Sequence, residues 1–212
     1  MLISRVHFPV HTLGWGRRVG IWTQGCTIGC AGCMSRDTWD ADPGADVPVD
    51  EILRIVQQCG AVDGVTISGG EPLEQPEELE DLLIRLRSML GETGDILCYS
   101  GRGRRVVETT YAHLLGRVDA MVVGPFIQRK ACDDPLRGSS NQEILCPTAL
   151  GRERYADGRL RRGAHLSVGV DDNELRLIGV PAPGDMAALE TVVTASGLAL
   201  VDASWADGGA SR

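Results

Sequence analysis

Apolar and polar positions along the first two-thirds of the chain fall into two alternating patterns. Short apolar runs, "RRVGIWTQ" (17–24), "VDGVTIS" (62–68), "DILCYS" (95–100) and "VDAMVVG" (118–124), read as buried strands. Between them lie segments of helical period. "DEILRIVQQCG" (50–60) puts Ile52, Ile55, Val56 and Cys59 on one face and stops at Gly60. "PEELEDLLIRLRSMLG" (76–91) opens on Pro76 and acidic residues, carries Leu79, Leu82, Leu83, Leu86 and Leu90 in one stripe, and closes at Gly91. "RVVETTYAHLLG" (105–116) predicts a third helix. Strands alternating with helices of this length imply right-handed crossovers, a parallel sheet and an α/β fold. Function in such sheets gathers at the C-terminal strand ends. The stretches "TQGCTIGCAGC" (23–33), "GGEP", "YSG" and "GPF" each follow a predicted strand, which places all four on one rim.

The pattern changes elsewhere. Residues 34–49 hold two prolines and many aspartates and read as a long loop, as does the polar "QRKACDDPLRGSSNQ" (128–142). "AHLSVGVDDNELRLIGV" (164–180) predicts a hairpin turning at Asp171–Asn173, and "GDMAALETVVTASG" (184–197) a helix with Met186, Leu189, Val192 and Val193 inward. No internal repeat or linker separates these parts. The expected organisation is a core over residues 1–145 and a C-terminal addition over 146–212 on the same domain, with the tail after 203 frayed.

Composition narrows the class. The 212 residues are 43% hydrophobic with mean hydropathy −0.04, and no apolar run approaches the roughly 18 residues that span a bilayer. The first residues lack the basic-then-apolar layout of a signal peptide, so the expected location is the cytoplasm and no membrane partner is expected. A net charge of −8 argues against a nucleic-acid partner, which calls for a basic face. The basic runs at 102–105 and 152–162 read as solvated surface before they read as phosphate or partner contacts.

Seven cysteines in a cytoplasmic chain do not suggest a disulfide framework. Cys59 and Cys98 read as small core residues, and Cys132 and Cys146 lack metal-ligand spacing. The remaining three, Cys26, Cys30 and Cys33, share one short loop in a C-x₃-C-x₂-C pattern. A 4Fe–4S cluster takes one thiolate per iron, so three thiolates leave one iron open, and an open position marks a catalytic metal centre. Gly25, Gly29 and Gly32 let the backbone wrap closely. Zinc sites use paired C-x₂-C or histidines, and His7, His11, His113 and His165 stand in no such spacing. A redox pair Cys30–Cys33 leaves Cys26 unexplained.

"GCTIGCAGC" resembles the cluster loop of the radical S-adenosylmethionine (SAM) enzymes, and "SGGEPL" the glycine-rich segment that meets the SAM amino group in them. "IWTQGC", "CMSRDTW", "SGGEPLEQP", "YSG", "VDAMVVGPF" and "LRGSSNQ" follow the order seen in the anaerobic ribonucleotide reductase activating proteins, a glycyl-radical activase family; the resemblance runs over roughly residues 10–145. It implies a partial (β/α) barrel of the radical SAM type, with the hairpin and helix as an addition. It also implies a 4Fe–4S cluster on Cys26, Cys30 and Cys33. SAM would lie against Gly32, Cys33 and Met34 on its adenine side and Gly69 and Gly70 at its ammonium, with Glu71 and Pro72 fixing that turn and Tyr99 and Ser100 at the next strand end. Arg137 and Asn141 are the candidates for substrate or partner contact. The chain departs from the pattern at Met34, where the family usually has an aromatic residue, and at Val123, where it often has aspartate.

The activity so implied is reductive cleavage of SAM to methionine and a 5′-deoxyadenosyl radical, which removes a hydrogen atom from the substrate. In the resembled family that substrate is a glycine of a large reductase, and a one-electron donor such as a flavodoxin or ferredoxin supplies the electron. Two other readings stand beside it. One is a stand-alone radical SAM enzyme acting on a small molecule or peptide; the other is a non-catalytic iron–sulfur or zinc protein, for which a SAM segment has no use.

Overall fold

A computed structural model describes residues 1–156, 160, 166–171, 174–200 and 203–205. Its centre is one six-stranded sheet in sequential order, β1 (Ile3–Val10), β2 (Arg18–Thr23), β3 (Gly64–Gly69), β4 (Asp95–Ser100), β5 (Ala120–Val123) and β6 (Glu143–Leu145). β2 to β5 run parallel, while β1 and β6 pair antiparallel at the two edges. The sheet is therefore mixed, mainly parallel and open among the described residues. The parallel core matches the reading from alternation, and both edge strands are additions to it.

Side chains on the two faces separate cleanly. Val19, Ile21, Val65, Ile67, Ile96 and Cys98 point to the helical side. There they meet α1 (Val49–Gln58) and α2 (Pro76–Leu90) through Ile52, Val56, Leu79, Leu82, Leu83 and Leu86, all essentially sealed from solvent. Gly91 ends α2 at φ +63°, as the Gly signal predicted. The expected third helix is split into α3 (Arg104–Thr110) and α4 (Ala112–Leu115), because Tyr111 leaves helical geometry at φ −115°, ψ 25° after two β-branched threonines. The 34–49 loop carries short 3₁₀ turns at Arg36–Thr38 and Pro43–Ala45.

The opposite face holds Trp22, Thr66, Leu97, Tyr99 and Val122 and is covered from the C-terminal side. α5 (Ala149–Tyr155) packs Tyr155 against Leu97, Ala120 and Val122. The hairpin of β7 (Leu166–Asp171) and β8 (Glu174–Gly179) forms its own two-stranded sheet, and its turn residues 172–173 lie outside the described residues, as do 206–212 of the tail. Ile178 and Val180 pack on Val10, Leu13 and Trp22, and Thr12 Oγ1 donates to the Ile178 carbonyl at 2.8 Å. α6 (Asp185–Ala195) departs from the expectation of an inward stripe: none of its residues is fully buried and Val192 is 63% exposed. Apolar residues run around α6 rather than along one face, so Met186, Leu189 and Val193 are only half-buried. Among the described residues no helix is long and apolar enough to cross a membrane.

Candidate active site

The C-terminal ends of β2, β3, β4 and β5 meet at one hollow of about 130 Å³. β2 delivers Cys26, Cys30 and Cys33 to it; β3 delivers Gly69, Gly70 and Glu71; β4 delivers Tyr99 and Ser100; the chain after β5 brings Gly124 and Phe126. A larger cavity of about 970 Å³ adjoins it, with Cys33, Ser68, Gly69, Tyr99, Phe126 and Gln142 lining both. Gly32 and Met34 face this larger space. Pro72 lies beneath the rim, buried at the start of a 3₁₀ turn.

The cysteine loop is shaped by its glycines and clamped at both sides. Gly25, Gly29 and Gly32 all have positive φ, so the loop's turns need residues without a Cβ. Gly25 N–H and Cys26 N–H donate to the carbonyls of Thr38 and Trp39 at 2.8 and 2.9 Å, and Gln24 Nε2 donates to the carbonyls of Asp37 and Asp40. Across the loop, Thr27 donates to Glu74 from its backbone N–H at 3.0 Å and from its hydroxyl at 2.5 Å, and Arg102 pairs with Glu74 from the β4 side.

Glu71 ties two strand ends together. Its buried carboxylate accepts from Leu73 N–H at 3.0 Å, Ser100 Oγ at 2.8 Å and Gly101 N–H at 2.7 Å. Burial pushes its pKa up, against these hydrogen bonds and the nearby Arg102. The Ser100 hydroxyl is thus occupied in holding the turn. Gly69 and Gly70 have an equally local reason for their identity. A Cβ on Gly69 would come within 2.4 Å of Thr23 N, and one on Gly70 within 2.2 Å of the Gly25 carbonyl oxygen. The backbone these glycines approach is the cysteine loop's own, joined by Gly70 N–H to Thr23 O and Glu71 N–H to Gly25 O, both at 2.8 Å.

Replacing Gly70 by alanine is accordingly expected to push the cysteine loop off the β3 turn, at an overpacking cost of about 1–3 kcal/mol. Thermal unfolding and bound iron after anaerobic reconstitution should both fall. Full iron content at an unchanged melting temperature would reject this account of Gly70.

Burial and backbone donors act on the thiols in opposite directions. Burial raises the pKa of Cys26 and Cys30; Glu71 and Glu74 raise that of Cys26 further, and Cys33, Cys26 and Glu71 that of Cys30. Backbone N–H groups oppose that rise, from Ile28 and Gly29 at Cys26 and from Phe126 at Cys30. Ser35 N–H donates to Cys33 Sγ at 3.4 Å. Peptide N–H groups directed at sulfur stabilise thiolates and tune a bound cluster. Among the described residues no three His, Cys, Asp or Glu side chains are gathered as they would be around a single ion. A cluster instead receives each thiolate on a different iron, and the three cysteines surrounding one hollow fit that arrangement.

Arg137 and Asn141 do not line either cavity. The Arg137 guanidinium is held by Asp134 at 2.8 Å and by the Gln142 carbonyl; Asn141 Nδ2 donates to the Pro125 carbonyl at 2.8 Å, leaving its buried Oδ1 unpartnered. Gln142 and Gly138 from the same loop face the large cavity. Sequence reasoning passed over Gln142, Trp39 and the clamp residues Gln24 and Glu74. All four sit inside the motifs "LRGSSNQ", "CMSRDTW", "TQGC" and "GGEPLE", and that adjacency is the signal the sequence carries.

The chain is 30% identical over 148 residues to the anaerobic ribonucleoside-triphosphate reductase-activating protein of Haemophilus influenzae, covering 65% of this chain and 94% of that one. The same-named protein of Enterobacteria phage T4 is 27% identical over 139 residues, 64% of this chain and 87% of that one. The pyruvate formate-lyase-activating enzyme of Staphylococcus aureus (strain USA300) is 39% identical over 97 residues, 41% of this chain and 38% of that enzyme. The sequence profile of the family described as "4Fe-4S single cluster domain" matches residues 12–145, more than half of the chain. That span starts before β2 and ends with β6, taking in the whole thiol-bearing rim, and the chain belongs to this 4Fe-4S single cluster domain family, as a radical SAM enzyme of the activase type.

Proposed function

We propose that this chain binds a 4Fe–4S cluster on Cys26, Cys30 and Cys33, cleaves SAM reductively and abstracts a hydrogen atom, from a glycine of a partner reductase. The observation that carries the reading is the convergence of the three thiols and Gly69, Gly70 and Glu71 on one hollow that adjoins a cavity large enough for SAM. The cofactors, when bound, supply one-electron cleavage of the SAM C–S bond and the 5′-deoxyadenosyl group that takes the hydrogen atom.

The protein's part is placement. Glu74 and Thr27 hold the loop between Cys26 and Cys30, while Glu71 fixes the β3 turn against Ser100 and Gly101. Gly32, Cys33 and Met34 offer backbone and a soft thioether to the adenine side, Gly69 and Gly70 meet the SAM ammonium, and Tyr99 lines the same space. Arg137 and Asn141 order the loop that carries Gly138 and Gln142 to the cavity, and substrate or partner contact through that loop belongs to this reading. In this scheme residues 1–145 are the radical SAM core, its open sheet serving as a partial barrel, and 146–212 are an addition on the same domain. The electron comes from a flavodoxin or ferredoxin in the cytoplasm.

Anaerobically reconstituted protein with a strong reductant should convert SAM to methionine and 5′-deoxyadenosine. A reductase peptide deuterated at its glycine should pass deuterium into 5′-deoxyadenosine. Protein that holds only zinc and leaves SAM intact would defeat the reading. Deuterium transfer from a small metabolite, with none from any glycyl loop, would replace the protein partner by a stand-alone substrate.

A further inference from the structure

The wall of the 970 Å³ cavity beside the cysteine loop is completed from the far end of the chain. Gly32, Cys33, Met34 and Ser35 line the cavity as the loop leaves the thiols, and Ser204 and Trp205 line it from the C-terminal segment. The two stretches are tied together. Ser204 Oγ donates to the Met34 carbonyl at 2.9 Å, and Arg36 N–H donates to the Ser204 carbonyl at 3.1 Å. A residue bonded through both its hydroxyl and its carbonyl fixes where the next residue stands, so Trp205 is held at the exit of the cysteine loop. It lies beyond the 12–145 span that the family's sequence profile matches, and nothing in that match accounts for it.

Residues 32–35 bring backbone, a thiol, a thioether and a hydroxyl to this side of the cavity, and no ring. The other aromatic residues on the lining are taken up by packing. Trp22 is 6% exposed and lies over Gly20, where a Cβ would come within 2.5 Å of its ring, with Val10 and Leu13 against it. Phe126 fills the space between Gly32 and Gly138, whose Cβ atoms would stand 3.2 and 3.0 Å from its ring. Tyr99 packs into the clusters around Leu97 and Trp22, and its hydroxyl is buried. Trp205 belongs to neither cluster and is only half-buried. Core packing therefore gives no reason for so large a ring at this point of the wall.

We propose that Trp205 is a further cofactor-binding residue, its indole forming the aromatic surface on which the adenine of SAM stacks. The inference deepens the proposed radical SAM function and rests on it, because that reading sets the adenine against Gly32, Cys33 and Met34. A purine presents π faces that stack on an indole without a matched hydrogen bond, so a ring carried by a short anchored segment suffices. The polarisable Met34 thioether supplies a soft neighbour to the same base. Ser204 is then the residue that positions the ring, through its bonds to the loop that bears the thiols.

Equilibrium dialysis of the anaerobically reconstituted holoprotein, without reductant, gives the affinities of three probes. They are SAM, methylthioadenosine, which keeps the adenine but lacks the amino-acid part, and methionine, which lacks the adenine. Trp205→Leu should weaken SAM and methylthioadenosine about tenfold, the scale of one base stacked on an aromatic ring, and leave methionine binding and bound iron unchanged. Trp205→Phe should keep most of the affinity. Undiminished SAM affinity in Trp205→Leu overturns the proposal, and so does an equal loss for methionine, which marks a disturbed loop instead of a lost stack. No SAM binding by the unsubstituted holoprotein overturns the stack together with the reading it rests on. SAM turnover, measured separately with reductant on the unsubstituted protein, keeps the two apart: the adenine-specific loss at Trp205 without any SAM cleavage supports the stack and sinks the catalytic function alone.

Discussion

Alanine at Cys26, Cys30 or Cys33 is expected to reduce bound iron and sulfide to background, while alanine at Cys98 leaves both intact. Three thiolates are the minimum that holds a cubane with one open iron, and among the described residues no other cysteine lines the hollow. Cys98 is sealed on the helical face of the sheet among Ile67, Ile96 and Met121, and burial drives its pKa far up. Cys59 caps α1 with its Sγ donating to the Ile55 carbonyl, and Cys132 donates to the Arg137 carbonyl. Truncating Cys98 removes a buried group worth on the order of 1 kcal/mol and should show in thermal stability, not in iron. The measurement is iron, sulfide and visible absorbance after anaerobic reconstitution. Iron that survives in Cys30→Ala would remove that residue from the ligand set.

Much of this rim was legible before any coordinates, for a topological reason. Once β2, β3, β4 and β5 are parallel, their C-terminal ends share one side, so motifs that follow strands must assemble there. β4 runs over Asp95–Ser100, the span its apolar run marked, because a central parallel strand is apolar on both faces. The edges carry no such signal. β1, "ISRVHFPV", mixes Arg5 and His7 with apolar residues and contains Pro9, and its pairing with β2 is fixed by backbone bonds across the sheet. β6 has three residues, too few for any periodicity. The clamps on the cysteine loop were hidden for a similar reason: Thr27 and Glu74 are 47 residues apart, and neither composition nor spacing couples them. The Gly-Gly pair also approaches the cysteine loop itself, a reason for two glycines that only the positions of Thr23 and Gly25 reveal.

Arg18 is where sequence gave least warning and where substitution should cost most. It lies in the apolar run that opens β2, yet its side chain is fully buried. Asp95, at the start of β4, receives Arg18 Nη1 at 2.8 Å and Nη2 at 3.0 Å, Arg154 Nη1 at 2.5 Å and the Tyr155 hydroxyl at 2.5 Å. Thr66 Oγ1 accepts from Arg18 Nε at 2.7 Å, and the Val65 carbonyl accepts from Nη2. The two cations and one carboxylate thus fasten α5 to the N-terminal ends of the parallel strands, opposite the thiol rim. Arg18→Met keeps much of the side-chain volume but strips the buried Asp95 of its bidentate partner, and removing one member of a buried pair costs about 3–5 kcal/mol. Against a typical total stability of about 5–15 kcal/mol, that is a large fraction. Arg154→Met should cost less, because Arg154 is partly exposed and Arg18 still neutralises Asp95. Urea unfolding of the two variants gives the comparison directly. If Arg18→Met loses under about 1 kcal/mol, Asp95 is satisfied without it, and Arg154 with Tyr155 is the pair that anchors this end of the sheet.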